Sequence, residues 1–134
     1  MSEDGSLTGV WDGEYSYARQ LSPVRFTAVL LETGSRFSGT VHEQPPDGPH
    51  AGQIQEAMVD GARTGGMVAF TKVYEPSNPP RSPVRYEGTL SPDGCEISGV
   101  WTIKANWSGK FLMTRPGRQR SSARARRRVA VPVG

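Results

Sequence analysis

The chain has 134 residues, 35% of them apolar and 22% charged, which is enough for one modest core and too short for a multidomain machine. A single cysteine excludes an internal disulfide and a cysteine-built zinc cage, and 16 glycines with 11 prolines suit short strands and frequent turns better than a helical bundle. The formal charge of +3 is uneven: residues 116–134 carry six arginines and no acid, leaving residues 1–115 with 10 basic and 13 acidic side chains.

In chain order, the apolar pattern alternates with period two and changes phase at turn signals. Residues 9–17 set Gly9, Trp11, Gly13, Tyr15 and Tyr17 on one face and Asp12, Glu14 and Ser16 on the other. Residues 25–31 follow, with Phe26, Ala28 and Leu30 on one face, and turn through residues 32–35 into a strand over 37–41. The prolines and Asp47–Gly48 of residues 44–49 demand a loop. A weaker strand is expected over 54–62 and a strong one over 67–74, where β-branched and aromatic residues concentrate. A second proline-rich loop, 75–83, leads into strands over 84–90, 95–103 and 107–115, the first two joined by a turn at 91–94.

About eight sequential strands with one apolar face, and no helix to cover a sheet edge, close most simply into an all-β, eight-stranded antiparallel up-and-down barrel; a two-sheet sandwich would share the alternation. The expected organisation is a flexible N-terminus over 1–5, a barrel over 6–115 and a disordered arginine-rich tail over 116–134, which has too little apolar surface to offset its ordering entropy. The inward face gathers Trp11, Tyr15, Phe26, Phe37, Phe70, Tyr74, Tyr86, Trp101, Trp107 and Phe111. Glycines 9, 13, 39, 88, 99 and 109 share that parity and relieve crowding where strands coil. Val10, Val29, Leu31, Val73, Val100 and Leu112 point outward; gathered in one patch, they would mark a subunit interface and a homo-oligomer. No apolar run approaches the roughly 18 residues of a membrane helix and residues 1–6 lack a leader pattern, so a cytoplasmic protein is expected.

Gly9 with Trp11 near the start, and Arg115 at the close of the last strand, resemble the two ends of the calycin barrels, the group of lipocalins, fatty-acid-binding proteins and avidins. In that group the arginine packs on the tryptophan, which implies a structural signature of Gly9, Trp11 and Arg115. Residues 34–41 and 99–101 are further similar to the third and seventh strands of avidins. The avidin pocket itself does not carry over. Gly13 and Tyr17 replace an Asn and a Ser, Val41 a Tyr, Lys72 and Tyr74 a Trp and a Phe, and Phe111 an Asn, while Trp101 is retained. Biotin's polar head would lose its partners, so the resemblance implies the barrel and not biotin binding.

Tyr15, Tyr17, Lys72, Tyr74 and Tyr86 share inward parity and, with Trp101, form the candidate ligand-binding set for a small, partly apolar molecule carrying an anionic or carbonyl group. In the plainer reading, Lys72 snorkels to water at the rim and the tyrosines fill the core. His42 and His50 flank a proline-rich loop with Glu43 and Asp47 nearby; their spacing matches no metal motif, so all four read as solvated loop-edge side chains, with no metal or cofactor expected. Cys95 reads as a small buried residue, and the sequon at Asn106 carries no modification without a leader. No nucleophile–base pair, phosphate loop or inward acid or base is evident, so a non-catalytic binding protein is expected. The alternative is a filled barrel serving assembly, with the arginine tail making salt-sensitive, non-specific contact with an acidic partner or polyanion.

Overall fold

The computed structural model describes residues 6–17, 22–76, 80–104 and 107–116. The N-terminal residues 1–5, the tail beyond Pro116 and Asn106 of the sequon lie outside the described residues. Gly9–Tyr17 forms β1, Val24–Thr33 β2, Arg36–Glu43 β3, Gln55–Thr64 β4, Met67–Tyr74 β5, Val84–Leu90 β6, Glu96–Ile103 β7 and Trp107–Thr114 β8. Every strand pairs antiparallel with the next and β8 pairs with β1, so the sheet is a closed eight-stranded barrel with no free edge. The expected barrel is therefore present.

Three strands run longer than the alternation suggested. β2 gains Val24, Glu32 and Thr33, β3 gains Arg36, His42 and Glu43, and β4 spans 55–64 rather than 54–62, leaving Ile54 exposed. Short turns and the segment at residues 6–8 close one end, while the long loops at 44–54 and 75–83 rise from the other. Trp11, Leu7, Ile97 and Met113 are fully buried at the closed end. The Arg115 guanidinium carbon lies 4.3 Å from the centre of the Trp11 ring. Its three nitrogens donate to the carbonyls of Gly94, Thr8 and Ser6, and the Trp11 indole donates to the Leu7 carbonyl at 2.9 Å. Gly9 lies at φ 138°, a conformation open to glycine, and a Cβ added there would lie 3.8 Å from that guanidinium.

The inward aromatics interlock. Phe70 stacks on Tyr86 at 4.6 Å between centroids, and both meet Phe111 edge-on. Trp107 is the exception: it has inward parity but begins β8 beyond the barrel rim, so it is 57% exposed and meets Tyr17 edge-on. All six apolar residues assigned outward are exposed. Among the described residues no helix is long and apolar enough to cross a membrane.

Candidate functional site

β3 keeps its inward parity through Phe37 and Val41 to its final residue, so Glu43 points into the barrel and is only 3% exposed. Glu43 was expected at a solvated loop edge. The strand instead continues two residues past Val41, held by pairing with Phe26 on one side and Gln55 on the other. The interior thus holds an acid that truncating the strand at Val41 had hidden.

Three donors bond this carboxylate, and a further cation lies beside it. Glu43 Oε2 accepts from the Tyr15 hydroxyl at 2.7 Å and the Tyr74 hydroxyl at 2.8 Å, and Oε1 accepts from Lys72 Nζ at 2.9 Å. Lys72 does not snorkel: its side chain is 2% exposed, and its Nζ sits 4.5, 4.6 and 5.3 Å from the ring centres of Tyr15, Tyr74 and Tyr86. Arg81, from the loop before β6, stacks on the Tyr74 ring at 3.9 Å and donates to the Tyr74 hydroxyl at 3.0 Å and to Gln55 Oε1 at 3.2 Å. It also lies 3.8 Å from Glu43 Oε2. One anion therefore faces two cations at the floor of the mouth.

Burial pushes the Glu43 carboxyl up, but the Lys72 charge and the hydrogen bonds from Tyr15, Lys72 and Tyr74 outweigh it, leaving the carboxyl below its ordinary value. The Tyr15, Tyr74 and Tyr86 hydroxyls are all pushed above theirs, chiefly by burial and further by the Glu43 charge. Burial acts to lower Arg81, yet the neighbouring tyrosines and Glu43 raise it on balance. The network is a carboxylate held by neutral phenols and cations.

Six residues predicted from sequence, Tyr15, Tyr17, Lys72, Tyr74, Tyr86 and Trp101, do converge, lining one cleft together with Arg81, Val84 and Ile103. That cleft holds only about 10 Å³, and a second internal space, lined by apolar residues and Lys72, is the same size. Each is at the lower limit for one water molecule, so the barrel is filled. Trp101 is part of the filling: its indole donates to the Ser16 carbonyl at 3.0 Å and lies over Gly109, where a Cβ would come within 2.6 Å of the indole nitrogen.

The open space lies one layer further out. A recess of about 120 Å³ is walled by Tyr15, Tyr17, Val24, Pro45, Asp47, Gly48, Pro49, His50 and Arg81. Its loop wall folds back on itself through bonds from the Gly52 amide to the Pro45 carbonyl at 2.8 Å and from the Gln53 amide to the His50 carbonyl at 3.1 Å. This turns His50 inward, so it is 4% exposed and not solvated as expected. His42 faces outward beside Glu56, so the two histidines do not meet, and among the described residues no group of three His, Cys, Asp or Glu side chains is placed to hold a metal. Cys95 is buried by the turn at the opposite end of the barrel.

Sequence reasoning missed Glu43, His50 and Arg81. Counting period two onward from Phe37 would have found Glu43; the loop residues carry no comparable signal.

No family model and no curated protein matches the chain. Among solved structures, a designed protein described as a de novo fluorescence-activating β-barrel is similar to it with a TM-score of 0.62 at 14% identity, covering 87% of this chain and 100% of that one. At such identity the likeness speaks to fold, here the eight-stranded barrel.

Proposed function

We propose that the protein is a non-catalytic binding protein that holds a small, partly apolar molecule in the recess at the barrel mouth. The observation that carries this reading is the contrast between a filled interior and an open recess of about 120 Å³. In the same measure the first water needs about 10–15 Å³, so the recess is roughly eight to twelve times that threshold and has room for several waters and thus for a small ligand. Tyr15, Tyr17 and Val24 supply apolar walls, while Arg81 and His50 supply polar contacts suited to a carbonyl or carboxylate group. The Glu43 network beneath is a rigid floor, because each of its polar partners is already engaged.

A calycin-type barrel fits the same reading, supported by the stacking of Arg115 on Trp11, as does a cytoplasmic setting with one unpaired cysteine. The filled interior also favours a second reading, a barrel whose working surface is its exterior.

Native mass spectrometry of the full chain recovered from its own cells separates the two. A defined extra mass that is lost on denaturation, and lost in Arg81→Ala and Tyr17→Ala, supports a ligand in the recess. A bare mass for the parent chain, with no thermal stabilisation by a library of small carboxylic acids, overturns it.

A further inference from the structure

The barrel's outer face carries two adjacent rows that run across five strands. Val10 on β1 pairs with Val29 on β2, Val29 with Thr40, Thr40 with Met58 and Met58 with Val73, so four of five side chains in this row are exposed and apolar. Two residues along each strand lies the row Asp12, Thr27, His42 and Glu56, extended by Glu75, whose amide bonds the Glu56 carbonyl at 2.8 Å. This second row holds three exposed carboxylates and no lysine or arginine. Glu56 and Glu75 stand side by side across β4 and β5, an unfavourable like-charge placement; the His42 imidazole lies 3.6 Å from Glu56, and a cation laid over the pair relieves the repulsion further. The nearest arginines on the same face are already matched with acids, Arg25 opposite Glu14 and Arg36 bridged to Asp60.

The chain leaves the barrel beside the β1 end of both rows, since Thr114 pairs with Asp12 and Arg115 bonds the Thr8 carbonyl. Beyond Pro116 the sequence has 18 residues; five of its six arginines, Arg118, Arg120, Arg124, Arg126 and Arg128, fall at even positions, and Val129, Val131 and Val133 fall at odd ones together with Arg127. In an extended segment these sets project to opposite sides. The five-strand row spans about 19 Å at the usual strand spacing, and 18 extended residues reach roughly 60 Å.

We propose that residues 117–134 dock in cis along this face, arginines on the Asp12–Glu56–Glu75 row and valines on the Val10–Val29–Met58–Val73 row. Tail and body charges are opposite in sign, so the attraction is screened by salt.

Methyl NMR of the full chain tests this against a full-chain variant with Arg124, Arg126, Arg127 and Arg128 changed to Gln, which leaves all eight strands untouched. The expected result is that the Val10, Val29, Met58 and Val73 signals differ between the two at low salt, coincide at high salt, and do so equally at two protein concentrations. Glu56→Gln with Glu75→Gln lowers the docking constant about three- to tenfold, the scale of two exposed ion pairs. Identical low-salt spectra, or differences confined to another face, overturn the proposal. So do differences that grow with concentration together with a doubled mass, which identify a second copy as the occupant.

Discussion

Lys72 Nζ lies 2.9 Å from Glu43 Oε1 although the two side chains come from β5 and β3, which have β4 between them. The pair bridges across the inner face of β4, and both side chains are sealed from solvent. Removing Glu43 leaves the Lys72 charge buried without its counterion, and removing Lys72 leaves Glu43 with only the more distant Arg81 at 3.8 Å. Lys72→Met or Glu43→Gln is expected to cost about 3–5 kcal/mol of unfolding free energy, and the double variant clearly less than the sum of the two. Urea unfolding of the three variants checks this; additive losses would show that the ion pair is not coupled.

Acid acts through the same carboxylate. Because Glu43 titrates below its ordinary value in the folded chain, its contribution is present above the unfolded value of about 4.3 and is lost as pH falls through the folded one. Thermal melts should therefore fall steeply below that pH in the parent chain and more shallowly in Glu43→Gln.

Alkali acts through the phenols. Tyr15, Tyr74 and Tyr86 are raised by burial, so stability that is intact below the unfolded value of about 10 is lost as pH climbs above it. Ultraviolet titration should show these three of the four tyrosines ionising only together with loss of near-ultraviolet circular dichroism. Ionisation of all four with the fold intact would contradict the burial assigned to them.

The barrel itself was legible because its strands alternate strictly. β1, β5 and β6 have the ends that the pattern gave, since Gly and Pro punctuate them sharply. β3 was cut short at Val41 because a histidine and a glutamate look like the start of a loop, although the backbone ladder to β2 and β4 carries on beneath them. That cost the reading its central residue. Tyr15, Tyr17, Lys72, Tyr74, Tyr86 and Trp101 were placed together by parity alone, but parity says nothing of how much room they leave, and they leave about 10 Å³. Arg81 and His50 were beyond reach because loops place side chains by folding back in three dimensions, without a repeat in sequence.

Gly109 offers a packing test. A Cβ there would lie 2.0 Å from the Ser16 carbonyl oxygen and 2.6 Å from the Trp101 indole nitrogen, so strand and ring must both shift. Gly109→Ala is expected to destabilise by about 1–3 kcal/mol and to alter tryptophan emission, whereas Gly34→Ala, with nothing within 4 Å, suffers only the strain of its φ of 64°. Chemical denaturation of both variants gives the comparison.

Arg115→Lys keeps the charge but loses the fork that reaches three carbonyls and the flat face on Trp11. A loss of about 1–3 kcal/mol is expected by equilibrium unfolding. A neutral substitution would mean the stack contributes little.

The seam between β1 and β8 joins residues about a hundred positions apart, and the arginine that caps it follows the last residue of β8. A chain emerging from the ribosome in N-to-C order holds seven strands with both lateral edges unpaired until this stretch appears. Trp11, made with the first strand, must wait for Arg115 before its ring is covered. Closure is thus a late event with a high loop entropy, and the interval before it is when the nascent chain is most open to pairing with a neighbour.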